Sequence, residues 1–330
     1  MKIYRADRKK YKDSKREVRY LLAGCNFSPY RFNDYITPAE YANYLLLKKI
    51  EPALNEGGVF FGVEKDKIKA VASVVPLAWD TSYFGISMAE INVFFLKSAP
   101  ADSLEKKTKL LKNVLRYLKS EKVKNVIVRL DIADISSLRS FMEEGFEFMV
   151  AEGVNIVTAD KGFHPKVINY RDFSLKEARE EFIPRVLDIG KSILNFSKTR
   201  YHFDSALPQT KVHRYYFHNI RNSLLGEYGD EALVGILGGK IAGFCSLRRD
   251  EEFKKTAKKE KIDPILFAVS PAAPEGFSRF FMYQIREYIL KKSDIIYARV
   301  YMHNKGMLSL LKYFDGYPFC QHLICLRKNL

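Results

Sequence analysis

The sequence predicts an α/β fold built twice in one chain. Three observations carry that expectation. A hairpin pattern recurs, the elements after it follow in the same order in both halves, and Ile265–Glu287 reads as a strand, a turn and a helix in succession.

The first hairpin is VFFGVEKDKIKAVASVV, with strands Val59–Glu64 and Ile68–Val75 joined by Lys65, Asp66 and Lys67. Its counterpart is EALVGILGGKIAGFCSL. Gly62 matches Gly235, Lys67 matches Lys240, Ile68 matches Ile241 and Ser73 matches Ser246, always 173 residues apart. The strand Ile91–Phe95 pairs with Ile265–Val269, the helix Leu104–Lys119 with Phe280–Lys291, and the strand Asn125–Leu130 with Asp294–Val300. Before the first hairpin, Met1–Val18 is polar and basic. Ser28–Asn55 reads as helical, starting near Thr37-Pro38-Ala39-Glu40 and stopping at Gly57-Gly58. The seam is expected within Thr158–Tyr170, which divides the chain into residues 1–160 and 161–330.

With 330 residues, 47% hydrophobic and 14% aromatic, the chain has material for two cores. No apolar run approaches the roughly 20 residues that span a bilayer, and the N-terminus lacks a signal-peptide pattern, so a cytoplasmic protein is expected. Cys25, Cys245, Cys320 and Cys325 are scattered without CxxC spacing, which speaks against a zinc site and a disulfide framework. The net charge of +16 favours an anionic partner, yet the lysines fall in helical stretches that read as solvated faces. Nucleic-acid binding stays a minor alternative.

Ile265–Glu287 (ILFAVSPAAPEGFSRFFMYQIRE) is the chemically suggestive stretch. The first turn of a helix presents unpaired amides and partial positive charge. Gly276 lets a phosphate approach the backbone, and Arg279 adds a full charge. On this window alone, an ordinary strand-to-helix connection is the stronger reading, because the turn is neither GxGxxG nor a Walker motif.

Three further stretches carry a resemblance. DISSLRSFMEEGF places Asp134, Ser137, Phe141, Gly145 and Phe146 in a recognisable pattern. LAWDTSYFGISMAEI (Leu77–Ile91) and KTRYHFDSALP (Lys198–Pro208) with HNIRNSLLGEYGDEALVG form two more blocks. Together these resemble the GNAT N-acyltransferase superfamily, in particular tandem-GNAT sugar N-acetyltransferases of the TDP-fucosamine acetyltransferase type. The resemblance runs from Gly57 onward and leaves the residues before it unmatched.

The resemblance implies two GNAT-like domains, each a mostly antiparallel mixed sheet flanked by helices, with acetyl-CoA as co-substrate and no metal. Carried over residue by residue, Phe267, Ala268 and Val269 would hold pantetheine, with Val269 polarising the thioester carbonyl. Gly276, Phe277, Ser278 and Arg279 would take the phosphates, and Asn304 matches the family Asn near the cofactor. The first half has KSAPADSLEKK at the equivalent turn, with Asp102 and Glu105 and no glycine, so it implies a degenerate cofactor site. The usual Tyr seven residues after Asn304 is Leu311. Tyr313 and His303 are therefore the candidate acids, although two helical residues turn Tyr313 by roughly 200°.

Acceptor recognition is expected from Arg200, His202 and Asp204, which would share one face if Thr199–Asp204 were extended. The alternative there is a capped helix start with Asp204 bonding local amides. The function expected is an acetyl-CoA-dependent N-acetyltransferase acting on a small-molecule amine, with an amino sugar or nucleotide-linked amino sugar as its acceptor. A homodimer is compatible with this reading. A peptide or simple-amine acceptor and a non-catalytic scaffold are the alternatives.

Overall fold

A computed structural model of the chain describes residues 1–25, 27–30, 35–97, 100–158, 168–194, 198–315 and 319–330. The chain forms two compact units, Met1–Glu152 with Gln321–Leu330, and Gly153–Cys320.

In chain order the first unit holds β1 (Lys2–Ala6), α1 (Arg8–Ala23), α2 (Pro38–Leu45), α3 (Glu51–Glu56), β2 (Gly58–Glu64), β3 (Lys67–Pro76), α4 (Ala78–Phe84), β4 (Met88–Leu96), α5 (Pro100–Ser120), β5 (Asn125–Asp131), α6 (Ile135–Glu143) and the start of β6 (Glu147–Thr158). The second continues with β7 (Phe173–Glu177), α7 (Ile183–Leu194), α8 (Gln209–Leu224), β8 (Glu231–Leu237), β9 (Lys240–Arg249), α9 (Glu251–Ala257), β10 (Lys261–Val269), α10 (Phe277–Leu290), β11 (Ile295–Tyr301) and α11 (Lys305–Asp315). The last strand, β12 (Phe319–Asn329), carries the chain back into the first unit.

The duplication is closer than the sequence shows. β2, β3, α4 and β4 recur as β8, β9, α9 and β10 with every boundary displaced by 173 residues. The repeat also begins earlier than Gly57, since β1 pairs antiparallel with β2 as β7 pairs with β8. That early part escapes a pattern search because seven basic residues crowd α1. Its buried positions are only Tyr11, Val18, Leu21 and Leu22.

The helix expected over Ser28–Asn55 starts at Thr37 and ends at Gly57, as its start and stop signals indicate, but it is not regular throughout. Thr37 and Glu40 form a capping box at the start of α2, as Thr37-Pro38-Ala39-Glu40 foretells. A π-helical stretch, Leu46–Ile50, then separates α2 from α3. Pro52 accounts for the irregular turn, because it donates no hydrogen bond and its ring clashes with the carbonyl four residues back.

In the first unit the sheet runs β1-β2-β3-β4-β5-β12, antiparallel except for the parallel pair β4 and β5. β12 lies antiparallel to β5, from Leu323 opposite Asp131 to Asn329 opposite Asn125. The division expected at residue 160 therefore differs from the observed one: the last ten residues belong with the first unit, where their backbone groups are paired. The expected seam falls largely on residues 159–167, which lie outside the described residues, as does the Asp102 side chain. Strand alternation gives the sheet two cores. Phe61, Val71 and Phe95 pack with α1 and the helices after it, while Phe60, Ala72 and Ile91 pack with α5.

In the second unit the order is β6-β11-β10-β9-β8-β7, with β6 contributing Gly153–Thr158. Phe277, Phe280, Phe281, Ile285 and Ile289 on α10 cover one face, and Val186, Ile189, Ile220 and Leu224 on α7 and α8 cover the other.

Beyond Ile91 in the first unit, β4 is no longer paired with β5. Phe141 on α6 is fully buried there, edge-on to Phe94 at 4.9 Å and to Phe146 at 4.8 Å. Phe141→Ala is expected to cost about 3–5 kcal/mol in denaturant unfolding; a cost below about 1 kcal/mol would show that this aromatic cluster does not hold the first unit together.

Candidate functional site

The second unit repeats this strand divergence but leaves the space open. β10 is parallel to β11 over only two positions, Lys261 opposite Ile295 and Ile262 opposite Ile296. Along its other edge β10 stays in register with β9 as far as Val269. From Asp263 onward the edge facing β11 has no strand partner, and polar backbone groups in that position require another one.

Both units carry a bulge just past the divergence. In β10 the register passes from Pro264 to Leu266 and skips Ile265; in β4 it skips Asn92, the residue 173 positions earlier. The two bulged side chains do different things. Asn92 accepts a hydrogen bond from Ser73 and donates from Nδ2 to the Lys49 carbonyl at 3.3 Å, closing the structure around it. Ile265 makes no such tie and lines a cleft.

That cleft measures about 220 Å³. Ile265, Leu266 and Phe267 form one wall, and Ile296, Ala298, Arg299, Val300 and Tyr301 on β11 form the other. Met282, Ile285, Arg286 and Ile289 on α10 and Met307 and Leu311 on α11 line it too, and Thr199, Tyr216 and Asn304 add polar groups. Leu311 stands seven residues after Asn304, as Phe141 stands seven after Asp134. The smaller side chain at 311 leaves the cleft open where Phe141 packs against its neighbours.

Asp134 and Asn304 are equivalent in a second sense, as caps of the helices that follow. Asp134 Oδ1 accepts from the Ser137 amide at 3.1 Å, and Asn304 Oδ1 accepts from the Met307 amide at 3.1 Å. Asp134 is also locked in a buried ion pair with Lys107 at 2.5 Å, whereas Asn304 remains at the cleft wall.

At the far end of β10, Gly276 is the N-cap of α10 with φ 82°, a left-handed conformation that glycine adopts without steric cost. Among the described residues, the amides of Gly276 and Ser278 have no hydrogen-bond partner. Those of Phe277 and Arg279 donate to the Pro274 and Gly276 carbonyls. Phe277, expected to face phosphate, is fully buried against Phe281 and Tyr170. Arg279 is exposed, its guanidinium 4.5 Å from the centre of the Tyr313 ring. Tyr313 therefore sits beside the helix N-terminus and outside the cleft lining, as the 200° rotation anticipates. His303 is also outside that lining; its Nε2 lies 2.6 Å from the Lys198 carbonyl, and its ring stacks on Tyr301.

Arg200–Phe203 is a 3₁₀ turn, so the extended strand that would align Arg200, His202 and Asp204 is not formed. The turn follows the capped-start alternative: Asp204 is buried and accepts from the Ala206 amide at 3.0 Å. Arg200 donates to the Tyr201 hydroxyl at 2.6 Å. His202 Nδ1 receives the Thr199 amide at 3.1 Å and lies 2.9 Å from the Thr199 hydroxyl. Of the residues that do reach the cleft, Thr199 lies inside the Lys198–Pro208 block but is not marked out within it, and Tyr216 lies just beyond it with no sequence signal of its own. Only the packing of α8 on the sheet reveals them.

Burial, helped by the nearby His213 and Lys198, lowers the His202 pKa to about 4. Burial likewise raises the Tyr216 phenol well above its ordinary value. Both groups are neutral across the physiological range. No helix among the described residues is long and apolar enough to cross a membrane, and no group of His, Cys, Asp and Glu among them is arranged to hold a metal.

A histidine NMR titration is expected to show His202 titrating near pH 4, with no change between pH 7 and 5.5. Because unfolded His202 binds its proton near 6.5, it destabilises the fold progressively as pH falls from 6.5 towards 4. A midpoint near 6.5 would mean that its ring is solvated.

No protein-family model matches the sequence, and no curated protein matches it. Solved structures do match the fold. A GCN5-related N-acetyltransferase from Sphaerobacter thermophilus superposes with a TM-score of 0.58 at 15% identity, over 95% of this chain and 91% of that one. A tandem GNAT protein from the clavulanic acid biosynthesis pathway gives 0.57 at 8% identity over 99% and 98%. At these identities the likeness shows the fold alone, two tandem GNAT-like domains.

Proposed function

We propose that the protein is an acyl-CoA-dependent N-acyltransferase whose donor binds in the second unit. The single observation carrying this reading is the open wedge between β10 and β11, which holds the bulge at Ile265 and lies along the strand that runs on to the Gly276 turn.

The parts of an acyl-CoA can be assigned along this strand and its turn. Its phosphates would meet the free amides of Gly276 and Ser278 and the Arg279 guanidinium at the positive end of α10. Pantetheine amides would complete the unpaired edge of Phe267, Ala268 and Val269. The thioester would then lie at the bulge. A bulged residue is left out of the ladder, so the Ile265 amide is better placed to polarise the carbonyl than Val269, four residues nearer the phosphate turn.

An acceptor amine would attack the thioester carbon directly. The carbon–sulfur bond breaks, its electron pair leaves with the CoA thiolate, and the amine nitrogen sheds one proton. What the enzyme contributes is orientation and carbonyl polarisation. The acceptor class rests on the sequence resemblance, which points to an amino sugar or nucleotide-linked amino sugar. A non-catalytic binding protein is the second reading, favoured by the apolar Leu311 and by the Phe277 amide already bonded within the turn.

Calorimetric titration with acetyl-CoA tests donor binding, and the sister unit supplies the control substitution. Leu311→Phe restores the side chain found at Phe141. It is expected to leave the unit folded and to weaken acetyl-CoA binding at least tenfold. Wild-type protein at 100 times Kd should gain about 2.7 kcal/mol of stability. Absence of binding by acetyl-CoA and by longer acyl-CoAs would contradict the reading, and equal binding by L311F would move the donor elsewhere. Binding without acyl transfer to any amine would favour the scaffold.

A further inference from the structure

Resting on the acyltransferase reading, we infer that the donor carries an apolar acyl chain longer than acetyl, and that Ile289 and Ile296 set its length.

The cleft passes through the plane of the sheet, and its two sides differ in chemistry. Alternation along β10 turns Leu266 toward α7 and α8 and Phe267 toward α10. On the α8 side the cleft meets Thr199 and Tyr216. On the α10 side Val157, Cys245, Met282, Ile285, Ile289 and Ile296 enclose a chamber whose surface is almost wholly apolar. Burial raises the Cys245 thiol above its ordinary range, so it stays neutral and acts as a small apolar group. The polar residues on this side are Asn155, which alternation along β6 places with Val157, and Arg286. The Arg286 guanidinium is turned onto the Phe314 ring, 5.1 Å from its centre.

Topology puts this chamber beyond the thioester. β10 and β11 are parallel, so α10 has to travel back from the Gly276 turn to the start of β11. It ends at Leu290, and β11 begins at Ile295. Ile289 and Ile296 therefore lie at the opposite end of the wedge from Gly276, where Ile296 stands across from Ile262. With phosphates at Gly276 and the carbonyl at Ile265, the acyl group points toward that closed end.

The room there exceeds what acetyl needs. From the bulge to Ile262 the strand covers roughly 10 Å, and on the helix the stretch from Met282 to Ile289 covers roughly the same. An acetyl group puts one methyl beyond its carbonyl. It would leave most of the apolar wall without contacts, in a space that offers water few hydrogen bonds. At carbon–carbon bond lengths of about 1.5 Å, an acyl chain of about four to six carbons fills the part that the isoleucine side chains leave free. Ile289 and Ile296 are both buried, and the paired backbone of Ile262 and Ile296 closes the end, which gives the chain an upper limit.

Calorimetric titration of the intact protein with acetyl-, butyryl-, hexanoyl- and dodecanoyl-CoA tests the inference. Each buried methylene is worth about fourfold in affinity, so butyryl-CoA should bind about tenfold tighter than acetyl-CoA, hexanoyl-CoA at least as tightly as butyryl-CoA, and dodecanoyl-CoA about tenfold more weakly than hexanoyl-CoA. Ile289→Phe shortens the chamber and should lower the ratio of hexanoyl- to acetyl-CoA affinity about tenfold. Acetyl-CoA binding with no gain from longer chains overturns the inference and leaves the donor site standing. A gain that continues to dodecanoyl-CoA also overturns it, because that chain lies outside a closed chamber. So does an unchanged ratio in folded I289F; if that variant does not fold, the wild-type series decides. Failure of all four thioesters to bind overturns the inference together with the acyltransferase reading.

Discussion

Everything at the site depends on two backbone pairs being followed by none. β10 and β11 are joined at Lys261 and Ile262, then part, while β9 holds β10 firmly along its other edge. A strand anchored on one side and free on the other presents amides and carbonyls at fixed spacing to whatever enters the gap. The bulge at Ile265 and the left-handed Gly276 add to that divergence, one at each end of the exposed edge.

The duplicated unit shows what happens when the same divergence is closed. Phe94, Phe141 and Phe146 pack against one another, Asn92 ties the bulge to Ser73 and Lys49, and Asp134 is paired with a buried Lys107. In the second unit the corresponding residues are Leu311, Ile265 and Asn304. Each replacement removes bulk, a hydrogen-bond tie or a charge. The two units share one backbone plan and differ in whether side chains fill its central gap.

Much of the backbone plan was legible in the sequence, because strand pairing leaves a period of two and a repeat leaves a constant offset. The hairpins and the strand before Gly276 follow from such patterns, whereas Leu311 is marked in the sequence only as standing where the resemblance has a tyrosine, and its place in the cleft comes from the structure. Other features left no local trace. The return of β12 to the first unit is a pairing choice between strands of similar composition. Pro52 introduces a π-helical stretch into a helix that hydrophobic spacing alone would make regular. The common face that an extended strand would give Arg200, His202 and Asp204 is not formed, because the Thr199 cap folds the segment into a 3₁₀ turn. That same cap brings Thr199 and His202 toward Tyr216, a tyrosine from a helix that starts at Gln209. Such a constellation depends on packing between elements, which sequence spacing does not encode.

The most direct measurement of the central claim is amide hydrogen exchange with and without acetyl-CoA. The account predicts ligand protection over Ile265–Val269 and Gly276–Arg279, with none over the equivalent Asn92–Leu96 of the first unit. Protection in the first unit, or none along β10 at saturating acetyl-CoA, would contradict it.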